Sequence, residues 1–328
     1  MNSDPVDVIA RTLLYEGYLL YPYRPSAVKN QQRFNFGVLY PRMYTERQGD
    51  PVGSDAWQLQ TQCPVQGDSE TRIDVAVRFL QLIERQPQGQ ANATWHEAIE
   101  REVSVGSFSI GTTGHRALQS SFGFPAVDTA DPQRGKASTS GGAEAEDVVR
   151  GDVHVGVEEI RTGAYTLTVR VSNVGAVDAD GAGRNAALLR SLVSAHVVLR
   201  ATGGELISLL DPPAAFREIA ACCVNTGVWP VLIGDEGRHD CMLASPIILY
   251  DYPQIAPESA GDLFDGTEID EILALRILTM TDEEKREARG ADDRARQILD
   301  RTEGLPAEHW AKLHGALRGL RRATEGTP

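Results

Sequence analysis

Residues 153–171 read VHVGVEEIRTGAYTLTVRV. Val153, Val155 and Val157 alternate with His154 and Gly156, and Tyr165, Leu167, Val169 and Val171 alternate with Thr166, Thr168 and Arg170. A period of two puts each apolar set on one face of a sheet, and the break at Arg161-Thr162-Gly163 predicts a β-hairpin. Further short runs flank it: Ile73, Val75, Val77 and Phe79 before it, and Ala195, Val197 and Leu199 after it. Short strands recurring at this spacing predict a mainly antiparallel β core, sandwich or barrel-like.

Phe34, Phe36, Val38 and Tyr40 predict another strand, and WHEAIEREV at 95–103 is read as strand running on to Ile110. Glu205 to Leu210 continues after the Gly203-Gly204 turn, Val231 to Ile233 begins a new strand, and Pro246 to Tyr250 is a short apolar run. At the N-terminus Asp4 caps and Pro5 opens a helix with Val6, Ile9, Leu13 and Leu14 on one face. Beyond residue 266 the pattern turns helical. Ile269, Ile272, Leu273, Leu275 and Ile277 carry one helix, Thr281-Asp282-Glu283-Glu284 caps a second, and a third follows Pro306. Residues 125–152 are small and polar, and offer too little apolar surface to offset the entropy of ordering. The expected class is α+β, with an N-terminal helix and β segment at 1–124, a linker or loop at 125–152, a β segment completing the core at 153–265, and C-terminal helices at 266–328.

The net charge of −14 and the pI near 5.0 argue against a nucleic-acid binder, which needs clustered Lys and Arg. No apolar run approaches the ~18 residues of a membrane span, and MNSDPVDVIARTLL lacks a secretion pattern. Four cysteines in 328 residues do not form a disulfide framework. A cytoplasmic setting is expected.

Four constellations hold residue types with functional chemistry. Asp251, Glu258, Asp262, Asp265, Glu268, Asp270 and Glu271 crowd one segment with Pro253 and Pro257, which suits an anionic docking face or a helix cap and lacks the spacing of an EF-hand. Cys222, Cys223, His239 and Cys241 have the ligand types for zinc or nickel, but adjacent cysteines aim poorly at one ion, so buried thiols are the stronger reading. Tyr15, Tyr18, Tyr21, Tyr23, Tyr40 and Tyr44 are interleaved with Arg24, Arg33 and Arg42, the residue types that anchor protein interfaces or line a core edge. Ser191 or Ser194 with His196 and Asp211 holds the elements of a triad, yet no G-x-S-x-G elbow accompanies them, and a structural His is expected. Gly175, Gly181 and Gly183 are out of register for a dinucleotide fingerprint.

WPVLIGDEGRHDCMLASPIILYDYPQIAPESAGDLFDGTEIDE at 229–271, with LLYEGYLLYPYRPSAVKNQQRFNFGVLYPR at 13–42, resembles a protein family encoded near high-affinity nickel-iron hydrogenases of the actinobacterial type. That resemblance implies a non-catalytic accessory or assembly factor, without cofactor, that docks on a hydrogenase subunit or maturation protein. Tyr21, Tyr23, Arg24, Tyr40, Arg42, Glu258, Asp262, Asp265 and Glu268 are the expected partner-binding residues. The alternatives are a metal-dependent hydrolase using Glu258, Asp262 and Asp265, or a permanent subunit of a larger complex.

Overall fold

A computed structural model describes residues 5–14, 37–48, 55–85, 95–111, 118–125, 147–176, 183–254, 280–291, 296, 299–300 and 303–304. The chain divides into two units, one formed by residues 1–19 and 25–254 and the other by 20–24 and 255–328. The first unit is mostly antiparallel β, with short peripheral helices, so the helical share of the expected class is small among the described residues.

Its strands are β1 (Gln58–Gln66), β2 (Arg72–Arg85), β3 (Trp95–Ser109), β4 (Leu118–Pro125), β5 (Asp147–Arg161), β6 (Ala164–Asn173), β7 (Val193–Thr202), β8 (Glu205–Leu206), β9 (Trp229–Leu232) and β10 (Cys241–Ser245). They form two five-stranded sheets, ordered β4-β5-β6-β1-β8 and β3-β2-β7-β10-β9. The hairpin predicted from 153–171 is β5–β6. Val153 faces Val171, Val155 faces Val169 and Val157 faces Leu167, and all six are buried. Both sheets feed one core. Phe79 of β2 meets Phe122 and Phe124 of β4 with ring centroids 5.8 and 5.5 Å apart, in the tilted and edge-on geometries that aromatic quadrupoles favour. Arg101 of β3 lies 4.9 Å over Phe124 and donates to Gln81 Oε1 at 2.8 Å, while Gln81 Nε2 donates to the Pro125 carbonyl at 3.1 Å. This polar chain ties the end of β4 to the opposite sheet.

Helix α1 (Pro5–Leu14) forms as its spacing predicts, with the expected cap Asp4 outside the described residues, and covers the outer face of the second sheet. Val6, Ala10, Ile9 and Leu13 pack there against Val198, Val231, Ile233, Cys241 and Leu243. Helices α2 (Arg42–Gln48), α3 (Arg184–Leu188) and α4 (Arg217–Cys222) are single or double turns at the rim.

Several elements depart from the sequence pattern for local reasons. β5 begins at Asp147, inside the stretch read as linker, because Val149 reaches the core and Gly151 lies under the Phe122 ring. A Cβ at Gly151 would sit 2.2 Å from Phe122 Cζ, so glycine is what lets the ring settle on the strand. The run 34–40 yields a single bridge, Leu39 to Leu192, before Pro41 turns the chain into α2; Phe34 and Phe36 lie outside the described residues. The strand expected to reach Leu210 stops at Leu206, because Ser208 Oγ accepts the N–H groups of Leu210 and Asp211 and curls the chain. The run Pro246 to Tyr250 is not a strand; Cys241–Ser245 is, although its sequence does not alternate, since Met242 and Ala244 are buried in the central core on one face and Cys241 and Leu243 with α1 on the other.

The second unit is described at α5 (Asp282–Ala291) and a few residues after it. Lys285 N donates to the Thr281 carbonyl at 2.9 Å, so α5 opens where the capping-box sequence places it. Arg289 joins Asp300 at 3.0 Å and Glu303, and Lys285 joins Glu303 at 3.0 Å. The helices expected at 266–278 and after Pro306 lie outside the described residues, as does the chain from 126 to 146.

Candidate functional site

The informative surface is the outer edge of β9. β10 runs back along β9 with Ser245 opposite Trp229 and Met242 opposite Leu232. After Ser245, whose Oγ donates to the Ile247 carbonyl at 3.0 Å, the chain turns at Pro246 and returns along the free side of β9. It is fastened at the far end: Leu232 N donates to Asp251 Oδ1 at 2.8 Å, and Tyr252 N donates to the Leu232 carbonyl at 2.7 Å. Ser208 Oγ donates to Asp251 Oδ2 at 2.5 Å. One carboxylate thus stands in for a β-ladder partner and pins the 207–211 loop as well. Tyr252 holds a φ of +54°, a left-handed conformation uncommon for a side-chain-bearing residue, and its hydroxyl donates to the Arg238 carbonyl at 3.1 Å.

This path leaves large apolar side chains in water. Ile248 is 74% exposed and Tyr250 86%; Trp229, opposite Ser245 on β9, is 45% exposed, and Leu210, two residues after Ser208, is 56% exposed. In the sequence Pro246 to Tyr250 is a short apolar run; the bounding prolines are the available signal that it leaves the ladder.

Of the acidic cluster, Asp251 is described, and it serves the β9 edge. Glu258, Asp262, Asp265 and Glu268 lie outside the described residues, as do Tyr21, Tyr23 and Arg24. Tyr40 is buried, stacked on Tyr44 at 5.2 Å with the Arg184 guanidinium 5.7 Å from its ring, and burial pushes its hydroxyl up to about 12. Arg42 is exposed, 4.7 Å over the Trp57 ring and bonded to Glu46 at 2.7 Å.

The cysteines and His239 do not converge. Cys241 packs under α1, Cys222 is exposed, Cys223 donates to the Ile219 carbonyl at 3.4 Å, and His239 Nδ1 stands 3.4 Å from Glu205. Burial, with Cys222 adding, pushes the Cys223 thiol up to about 11, and burial also pushes up the Cys63 thiol. Among the described residues no group of three or more His, Cys, Asp or Glu is arranged to hold a metal ion.

The triad elements are separate too. His196 is fully buried, with Nδ1 3.0 Å from the Ser194 carbonyl, so Nδ1 carries the proton. Ser191 Oγ donates to Ala187 O at 2.7 Å, and Asp211 sits on the 208–211 loop.

A concavity of about 310 Å³ opens between α1, β2 and β3, lined by Asp7, Arg11, Leu14, Arg78, Glu100, Arg101 and Glu102. Arg78 bonds Asp7 and Glu102, each at 2.7 Å, and Arg11 bonds Glu100 at 3.0 Å. The Arg78–Asp7 and Arg11–Glu100 pairs fasten α1 to the sheet, and Arg78–Glu102 joins β2 to β3.

In sequence comparisons with known proteins, no family and no curated protein matches the chain.

Proposed function

We infer that this chain is a non-catalytic accessory protein that works by docking on another protein, with a β-sandwich as its scaffold. The observation that carries the reading is the concentration of exposed large apolar side chains. Of the eight in the described chain, five (Leu210, Val224, Trp229, Ile248 and Tyr250) fall within residues 210–250. Aromatic groups such as Trp229 and Tyr250, held out on a fastened backbone, are the residue types in which interface hot spots are enriched, and little entropy is lost when a partner covers them. The chain then supplies Glu258, Asp262, Asp265 and Glu268, whose charge favours a partner with a basic patch. Resemblance makes that partner a nickel-iron hydrogenase subunit or maturation protein in the cytoplasm. Among the described residues no helix is long and apolar enough to cross a membrane.

The test is affinity purification of the tagged chain from a cell that encodes both it and the hydrogenase, alongside hydrogen uptake after deletion of its gene. Enrichment of a hydrogenase or maturation protein, lost in an Ile248→Asp, Tyr250→Asp variant that still folds, supports the reading. Unchanged hydrogen uptake in the deletion strain removes the hydrogenase assignment.

A further inference from the structure

We propose that Cys63 and Cys223 are a thiol pair placed to join in a disulfide when an external disulfide is present, a link that locks residues 223–226 onto the edge of β1. A sheet edge presents unpaired N–H and C=O groups, and this chain covers the β1 edge, as it covers that of β9, with a segment laid alongside. Gln60 and Thr226 exchange both main-chain bonds, at 3.0 and 2.8 Å, which makes them a hydrogen-bonded antiparallel pair. Counted from that bridge, Thr61 stands opposite Asn225, Gln62 opposite Val224 and Cys63 opposite Cys223.

Side chains bear out the register. Thr61 Oγ1 donates to Asn225 Oδ1 at 3.0 Å, so residues 61 and 225 turn their side chains to one face. Two residues on, a strand presents that same face again. Thr61 and Cys63 are both buried, Cys63 wholly. Cys223 leaves α4 with extended dihedrals, φ −66° and ψ 129°, and is half-buried. Pairs of this alternate, non-hydrogen-bonded kind bring side chains closest, with Cα atoms about 4.5 Å apart in a regular ladder. Just before it, Gln62 N donates to Asn225 Oδ1 at 2.8 Å and Val224 N to Gln62 Oε1 at 2.7 Å, so side-chain oxygens replace carbonyls and widen the spacing. A disulfide spans Cα separations of about 4.4–6.8 Å, which admits that widening. Burial pushes the Cys63 thiol up and Cys223 adds to the shift, as a neighbouring thiolate does.

The two thiols differ in access. Cys63 is sealed from solvent, Cys223 is partly open, and Cys222 beside it is exposed. Cys223 therefore reacts first. Its thiolate attacks one sulfur of the external disulfide, forming a mixed disulfide and releasing one thiol; the Cys63 sulfur then attacks Cys223 Sγ and displaces the second. Two cysteine thiols are oxidised, one external disulfide is reduced, and both protons leave on the released thiols. In the reduced chain the Cys223 thiol donates to the Ile219 carbonyl at 3.4 Å, a weak bond whose loss costs little. Burial, with Cys222 adding, pushes the Cys223 thiol up to about 11, so thiolate is scarce at neutral pH and the pair stays reduced until the oxidant is in excess.

The reduced full chain is held folded in excess oxidised glutathione, acidified to stop exchange, alkylated, digested and read by mass spectrometry. The peptides of Cys63 and Cys223 should be recovered joined, two hydrogens lighter than their sum. Cys222→Ser should give the same link, because the exposed thiol is not one of the pair. Cys63→Ser should stop one step earlier, with glutathione left on Cys223. The thermal midpoint of the oxidised chain should rise and return to its starting value when a reducing thiol is added, because the link closes a long loop of the unfolded chain. Cys63 recovered as a free thiol from the wild-type chain overturns the proposal, whatever Cys223 carries. So does a link that joins Cys223 to Cys222 or to Cys241 instead.

Discussion

His196 sits wholly inside the protein beneath α1, opposite Arg78 on β2, with Nδ1 bonded to the Ser194 carbonyl and Nε2 meeting no hydrogen-bond partner among the described residues. Burial pushes its pKa down to about 4, with the Ser194 bond opposing and Arg78 adding. An unfolded His titrates near 6.5, so between pH 6.5 and 4 the unfolded chain takes up a proton that the folded chain refuses. Stability is therefore full above pH 6.5 and falls as pH drops through that window, by about 3 kcal/mol for this group. His196→Asn keeps a donor near Nδ1 and removes the titration. Denaturant unfolding across this range should give the variant a flatter profile, and parallel profiles would show that His196 is not the source. Its place on a strand was readable from SLVSAHVVLR. The left-handed Ser194 (φ +53°) was not, because it arises where the register of β2 and β7 slips between Arg78 and Leu80.

Alternation revealed those elements that bury one face and wet the other, as in β2, β5 and β6, and concealed those defined by contacts distant in sequence. β10 is buried throughout and reads as a featureless apolar run, and β8 is two residues long because a serine side chain ends it. The edge devices were equally hidden. Asn225 Oδ1 accepts from Gln62 N at 2.8 Å and from Thr61 Oγ1 at 3.0 Å, a pairing across more than 160 residues that no local pattern announces. Asn225→Ala would strand the half-buried Gln62 N–H and the buried Thr61 hydroxyl, and should cost about 1–3 kcal/mol in thermal unfolding, with Asp251→Ala costing a similar amount through Leu232 N and Ser208. A loss well under 0.5 kcal/mol in both would mean that water replaces the caps. The reverse holds at the β4–β5 connection. Pro125 faces Asp147 across the ladder, so the chain between them begins and ends at neighbouring points. Replacing residues 128–144 by a short Gly/Ser linker should leave the midpoint within a few degrees, because closure entropy changes slowly with length. A fall of many degrees would show that those residues contribute to the core.

At the scale of the whole molecule, strong acidity and a held-out apolar strip make different demands on a partner. Negative charge sets how fast a basic partner arrives, and the strip sets how long it stays. The two should separate in binding kinetics with whichever protein co-purifies. Asp262→Lys with Asp265→Lys should slow association and weaken its salt dependence, while Asp262→Asn alone should be mild, since a single rim charge contributes about 1 kcal/mol or less. Ile248→Asp with Tyr250→Asp should instead speed dissociation, by about tenfold or more if either side chain is a hot spot. Both residues are exposed, so neither change removes core packing. Equal association and dissociation rates in all variants would exclude these residues from docking. A catalytic carboxylate would behave in the opposite way: Asp262→Asn would then abolish turnover of a substrate and leave partner binding intact.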